Sequence, residues 1–212
     1  MRDGRPQLVC FDLGGVVVRI CRSWAEGCQA VGLDVRGDLA VRRVAGWDEL
    51  NAEYQSGRIG HDVFSERFSA LMSGLYTPEE VRRVHLGWIL GEYDGIGALV
   101  DELHGAGLES AVLSNSCAVH WKLLPRYPAF TRLRNRLGSH VIGVCKPAEA
   151  AYRAVEERTG FTGAEILFLD DDAGNVAAAQ ALGWSAVRID PLGSPAAQAR
   201  AALASRDVAL RR

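Results

Sequence analysis

Residues 9–18 read VCFDLGGVVV. Half of this stretch is β-branched or aromatic, and QLVCF at 7–11 has the texture of a short strand that is apolar on both faces. One carboxylate, Asp12, follows it, and then Leu13, Gly14 and Gly15. A buried strand that ends in an acid and two glycines raises the question of what approaches the chain there. The rest of the sequence answers it in two textures. From about residue 19 to 93 apolar residues recur at helical spacing, as in SWAEGCQAVGL, WDELNAEYQ, HDVFSERFSALMSGL and TPEEVRRVHLGWIL. Thr77, Pro78 and Glu80 form a capping-box signature. This block predicts about four or five helices and no strand.

From Asp94 onward strands and helices alternate. IGALVDELHGAG predicts a helix, ESAVLSN a strand, SCAVHWKLL a helix and SHVIGV a short strand. PAEAAYRAVEERTG, AEILFLDDD, NVAAAQALG, SAVRI and SPAAQARAALASR continue the alternation, and the chain closes on a basic, frayed LRR. Such alternation means right-handed βαβ units and a parallel sheet. The predicted fold is therefore α/β: a doubly wound, Rossmann-like parallel-sheet core from residues 1–18 and 94–212, with a helical insertion over 19–93.

Bulk properties narrow the function. The 212 residues carry 24 basic and 26 acidic side chains, a formal net charge of −2. Nothing in that balance favours nucleic acid or a membrane surface. No apolar run approaches the roughly 18 residues of a membrane helix, and Asp12 interrupts the only candidate signal segment. Five scattered cysteines without a CxxC pair fit reduced thiols and a cytoplasmic location.

In an open parallel sheet, ligands sit at the carboxyl ends of the strands. Polar residues gather there: Asp12 with Gly14 and Gly15, then Ser114 with Asn115, then Lys146, then Asp170 to Asp172. The acids suit Mg²⁺, which takes carboxylate oxygens and leaves positions for phosphate. Lys146 can neutralise a phosphate, and Ser114 with nearby backbone N–H groups can cradle its oxygens. Asp12 can attack phosphorus. Bare N–H groups at Gly14 and Gly15 would let a phosphate come close to the backbone.

FDLGGVVV, VLSNS, the lysine of CKP and FLDDDAGN occur in the order and approximate spacing of the haloacid dehalogenase-like (HAD) superfamily, which the sequence resembles over about residues 7–19 and 94–191. LSNSCAVHW, KPAEAAYRAV and FLDDDAGNVAAAQALGW look like its DLG(G/N)V branch, similar to α-glucose-1-phosphate phosphatases. By position, the helical block resembles a C1-type cap. The resemblance implies a phosphatase acting on a small phosphate ester, with Asp12 as nucleophile and Mg²⁺ ligand and a backbone carbonyl of Gly14 on the metal. It further implies Ser114, Asn115 and Gly15 around the phosphoryl group, Lys146 balancing its charge, and Asp170 and Asp171 on the metal. Asn175 would orient the acidic loop, and Asp172 falls at a variable position.

Two positions depart from the pattern. A second Asp normally stands two residues after the nucleophile as general acid and base; here Gly14 stands there. Cys145 replaces a commonly basic residue. Without the acid, the chain either uses a substrate with a good leaving group, takes the proton from another group, or is a non-catalytic phosphometabolite sensor or partner-binding protein. A haloacid dehalogenase would attack carbon without Mg²⁺ and would carry Tyr at position 14; the doubled acids Asp170 and Asp171 favour a metal. His61 and His85 lie in the helical block, from which a side chain could reach a substrate. His120 is expected to pack or face solvent. Trp24, Trp47 and Trp88 are expected in the core, with one of them or Tyr54 against the substrate.

Overall fold

The computed structural model describes residues 5–37 and 44–210. The expected frayed arginines 211–212 and residues 38–43 of the helical block lie outside the described residues.

Five parallel strands form the main sheet: β1 (Leu8–Phe11), β4 (Glu109–Ser114), β5 (Asn135–Gly138), β6 (Ile166–Asp170) and β7 (Ser185–Arg188), in the spatial order β5-β4-β1-β6-β7. β1 is central and all four of its residues are fully buried. Its side chains alternate between two cores, as a strand requires. Val9 and Phe11 join Val112, Leu167 and Leu169 under helices α5 (Ile96–Gly105), α7 (Pro128–Arg132) and α11 (Pro195–Ala204). Leu8 and Cys10 join Ala111, Leu113 and Phe168 under α9 (Glu149–Thr159) and α10 (Ala173–Ala181). Helices on both faces explain why the strands read as near-continuous apolar runs. The chain winds outward from β1 to β4 and β5, then returns to β6 on the other side of β1. The ends of β1, β4 and β6 therefore open into one crevice.

Between β1 and β4 lie α1 (Trp24–Ala30), α2 (Trp47–Gln55), α3 (His61–Leu71) and α4 (Pro78–Leu86). They build a third core around Trp24, Phe64, Phe68 and Tyr76, with Trp24 edge-on to Phe68 and Tyr76 at 5.0 and 5.4 Å. The capping box of Thr77 and Glu80 forms as the sequence requires. Cys117, from the loop before α6 (Ala118–Leu123), is part of this third core, which ties the helical module to the sheet.

Two expectations need correction. The helical block was expected to hold no strand, yet β2 (Val18–Ile20) pairs antiparallel with β3 (Ile89–Glu92) at its two ends. The third core strand was expected at SHVIGV, but it is NRLG at Asn135–Gly138, and Ser139–Ile142 is a single helical turn, α8. The β-branched Val141, which suggested a strand, is 70% exposed, while Leu137 is buried. β5 is an edge strand, so polar and glycine residues suffice there.

Three histidine rings cluster where the module meets the sheet. His61 and His85 lie 5.9 Å apart, and His85 stacks on His120 of α6 at 5.6 Å. His85 is buried, and burial first, then its neighbour His120, holds its pKa well below the ordinary value; His61 is lowered for the same reasons. A folded pKa below the unfolded one gives stability that is present above about pH 6.5 and lost as the pH falls. Between pH 7 and 5 the wild type should therefore lose more thermal stability than His85→Gln. Thermal melts of the two across that range check it, and equal slopes would remove His85 from the explanation.

Candidate active site

The backbone N–H of Asp12 donates to Leu169 O at 2.8 Å, which carries the β1–β6 ladder one residue past the strand and seats Asp12 beside Asp170. Lys146 reaches both: its Nζ donates to Asp12 Oδ1 at 2.8 Å and to Asp170 Oδ2 at 2.6 Å. The ammonium also lies 5.2 Å from the centroid of the Phe168 ring. Its side chain is 1% exposed. Burial opposes the charge, but the two carboxylates more than offset it and raise the lysine pKa, so Lys146 is an ammonium.

Asp170 is fully buried and held from three directions. Asn175 Nδ2 donates to its two oxygens at 3.2 and 3.1 Å, and the Asp172 N–H donates to Oδ1 at 2.8 Å. Asn175 thus orients the acidic loop. The Asp172 side chain accepts from the Asn175 N–H and caps α10. Asp171 is half-buried, and Arg188 Nε donates to its backbone carbonyl at 3.0 Å.

One carboxylate oxygen each from Asp12, Asp170 and Asp171 lies within 4.8 Å of the others. Three acids face a single ammonium. The Asp12 carboxyl is pushed up to about 7, by burial first and by the Asp170 and Asp171 charges, against the pull of Lys146. Asp171 is raised for similar reasons. Hard oxygen donors with uncompensated negative charge fit a divalent cation such as Mg²⁺, whose charge would relieve that repulsion.

The two glycines have different reasons from the one expected. The Gly15 N–H was expected to be bare; it donates to Val18 O at 2.9 Å. Gly15 has φ +84°, and a Cβ there would lie 2.6 Å from Asp171 Oδ2. Glycine is needed so that Asp171 can approach the chain just past Asp12. Gly15→Ala should destabilise the protein by about 1–3 kcal/mol, through left-handed strain and displacement of Asp171. It should also shrink the rise in melting temperature on adding Mg²⁺. Melts with and without Mg²⁺ check both effects.

Gly14 presents a carbonyl to which no backbone N–H among the described residues donates. A Cβ there would meet Ile20 Cδ1 at 2.8 Å. The room that a side chain at position 14 would take is filled by Ile20.

Ser114, the last residue of β4, is 4% exposed, and its hydroxyl has no partner among the described residues. Asn115 was expected on the phosphoryl group. Its side chain instead closes a reciprocal pair with the Lys146 backbone: Nδ2 donates to Lys146 O at 2.9 Å, and Oδ1 accepts from Lys146 N at 2.8 Å. The amide fixes the lysine loop, and that use leaves it one free hydrogen. Sequence reasoning missed this role, and it missed Ile20 and Ser139. No local pattern marks them, because their partners are remote in the chain.

His120 is neither simply packed nor free: its Nε2 donates to His85 O at 2.8 Å across the seam. Tyr54 OH bonds His61 Nδ1 at 2.6 Å. Trp24 is in the module core, with Trp47 and Trp88 packed against it.

A family model described as haloacid dehalogenase-like hydrolase matches residues 6–183. The chain belongs to that hydrolase family. Among curated relatives, mouse acyl-CoA dehydrogenase family member 10 is 25% identical over an alignment of 206 residues that covers 86% of this chain and 18% of that protein. The chain thus spans less than a fifth of that relative's length. Among solved structures, a HAD family enzyme of Bacteroides thetaiotaomicron, in its magnesium complex, superposes with TM-score 0.74 at 20% identity, covering 93% of this chain and 99% of that one. The L-2-haloacid dehalogenase of Xanthobacter autotrophicus superposes with TM-score 0.61 at 19% identity, covering 90% and 80%. At such identities the likeness shows the α/β HAD fold. It does not choose between the chemistries that fold carries. No helix among the described residues is long and apolar enough to cross a membrane.

Proposed function

We propose that this HAD-like hydrolase is a Mg²⁺-dependent phosphatase of a small phosphorylated metabolite, acting through an aspartyl-phosphate on Asp12. The observation that carries the reading is the buried set of Asp12, Lys146, Asp170 and Asp171: a nucleophile, a fixed ammonium and two further acids at one crevice. Asp12, Asp170, Asp171 and the Gly14 carbonyl would hold the metal, which supplies positive charge against the phosphoryl oxygens. Residues 1–18 and 94–212 would be the catalytic core, and 19–93 a cap that excludes water and selects the substrate.

In the first step an Asp12 carboxylate oxygen attacks phosphorus, and the bond from phosphorus to the ester oxygen breaks. Lys146 holds Asp12 in place and offsets the charge of the incoming phosphate. The Ser114 hydroxyl is available to a phosphoryl oxygen. In the second step water attacks the aspartyl-phosphate; inorganic phosphate leaves and Asp12 is restored.

With Gly14 in place of an acid, the leaving oxygen must depart without a proton from that position. This favours good leaving groups: acyl phosphates, whose carboxylate leaves without a proton, and, among sugar phosphates, the sugar 1-phosphates, whose anomeric oxygen is the least basic. A cavity of about 180 Å³ lies at the seam, lined by Tyr54, Ile59, His61, Val119 and His140 among others. The scattered, unpaired thiols fit a cytoplasmic setting.

The same absence of an acid also supports a second reading, a phosphometabolite sensor without turnover. Phosphate release from sugar 1-phosphates, sugar 6-phosphates, nucleotides and acetyl phosphate, with Mg²⁺ and with EDTA, separates the two. Release that needs Mg²⁺ and favours sugar 1-phosphates or acetyl phosphate is expected. Stabilisation by Mg²⁺ with no release from any of them would favour the sensor.

A further inference from the structure

Ser139 is 1% exposed and opens the helical turn α8 after the edge strand. Its hydroxyl joins two parts of the molecule. Oγ donates to the carbonyl of Gln55, at the end of α2 in the helical module, at 2.6 Å. It accepts from the Ser116 N–H at 2.9 Å, in the loop that follows Ser114 and Asn115. A second carbonyl, Ser116 O, lies 3.2 Å away. A hydroxyl has one hydrogen, so it can serve Gln55 or Ser116 but not both fully. Ser116 O has another donor in His140 Nδ1 at 3.0 Å; a carbonyl only accepts, so that nitrogen carries the proton. With His140 serving Ser116, the Ser139 hydrogen is left for the module.

The neighbouring contact is as close. A Cβ at Gly57, where φ is +75°, would lie 2.5 Å from His140 O. The turn after α2 therefore rests its backbone directly on α8. From Ser116 the connection continues through Asn115, whose side chain clamps both backbone groups of Lys146, to the ammonium that binds Asp12 and Asp170.

We propose that Ser139 is a positioning residue that couples the seating of the helical module to the placement of Lys146. When the turn at residues 55–57 seats on α8, the Ser139 hydrogen goes to Gln55 O, and its lone pairs hold the Ser116 N–H. When the turn lifts, the hydrogen has Ser116 O within reach, and the loop that carries Asn115 relaxes. The module's position thus selects between two hydrogen-bond arrangements beside the catalytic lysine, a discrete switch of the kind that coupling requires.

Amide hydrogen exchange tests the coupling without an assay of turnover; only the kinetic arm below rests on the phosphatase reading. Loss of the Ser116 bond in Ser139→Ala follows from any structural role, so the informative amides are others. Lys146 N reports the Asn115 clamp, and the amides of residues 56–59 report the seated turn. Ser139→Ala should speed exchange at both by about five- to tenfold, the loss of one net hydrogen bond. Ser139→Thr, which keeps the hydroxyl, should stay near wild type. Gly57→Ala approaches from the module side: it should loosen 56–59 and speed Lys146 as well. With p-nitrophenyl phosphate and Mg²⁺, Ser139→Ala should lower kcat about tenfold with little change in KM.

Faster exchange at Ser116 alone in Ser139→Ala would overturn the proposal. So would a Gly57→Ala variant with a loosened turn and an unchanged Lys146 amide, or an unchanged kcat in an active enzyme. If Ser139→Ala fails to fold, Gly57→Ala decides. If the wild type does not hydrolyse the ester, the phosphatase reading loses support, and the exchange result still decides the coupling.

Discussion

Asp12→Asn is expected to lower phosphate release by at least about a thousandfold, as removal of a covalent nucleophile does. The fold should survive. The Asn carbonyl oxygen can still accept from Lys146 Nζ, which donates to Asp12 Oδ1 at 2.8 Å in the wild type. Without metal the variant should even be the more stable protein at alkaline pH. Burial first, then the Asp170 charge, pushes the Asp12 carboxyl from 3.8 up to about 7. A folded pKa above the unfolded one contributes stability that is complete below about pH 4 and is lost as the pH rises through 7. The neutral amide has no such loss. In EDTA, the melting temperature of Asp12→Asn should exceed that of the wild type at pH 8, and the gap should narrow toward pH 5.5. Adding Mg²⁺ should reverse the order, because the ionised carboxylate gains a ligand that the amide binds less well. Turnover by Asp12→Asn at the wild-type rate would remove Asp12 as nucleophile and the proposed mechanism with it.

The parts of this molecule that were legible in the sequence share one property: their signal is local. The strand of VCF before Asp12, the strand of ILFL before Asp170 and the capping box at Thr77 each declare themselves within a few residues. Their order along the chain then gave the crevice. β5 was misplaced because an edge strand is not forced to be apolar: NRLG buries Leu137, while the more strand-like HVI lies in a helical turn with Val141 outside. The β2–β3 pair was missed because its strands are three and four residues long and separated by the whole module. At the crevice, residue types were legible and their partners were not. Asn115 was taken as a ligand for phosphate, yet its partner is the backbone of Lys146, 31 residues on. Gly15 was singled out for the close approach of a phosphate; the group for which its missing side chain leaves room in the structure is the Asp171 carboxylate. Ser139 has no sequence signal at all, since a serine after a glycine is ordinary in any loop.

Restoring the missing acid should require two changes, not one. Gly14→Asp alone puts a Cβ 2.8 Å from Ile20 Cδ1, closer than carbon atoms pack. Ile20 is half-buried and packs against the core that contains Val16 and Val18, so its Cδ1, the far end of the side chain, must shift along that core to admit a Cβ. The single variant should lose stability and gain little activity. Ile20→Ala removes the obstructing atoms at a packing cost of about 1–2 kcal/mol, modest because the site is not fully buried. In the double variant the new carboxyl can protonate a leaving oxygen, and general acid assistance is typically about 10²–10⁴-fold. Hydrolysis of a poor leaving group such as a sugar 6-phosphate should rise by about a hundredfold. Acetyl phosphate, whose leaving group needs no proton, should change little. That contrast is the informative result, because a general gain in folding or metal binding would lift both substrates together. A full gain from Gly14→Asp alone would show that Ile20 yields easily and is no barrier. No gain in a folded, Mg²⁺-binding double variant would mean that the proton already comes from another group, and position 14 would no longer explain the choice of substrate.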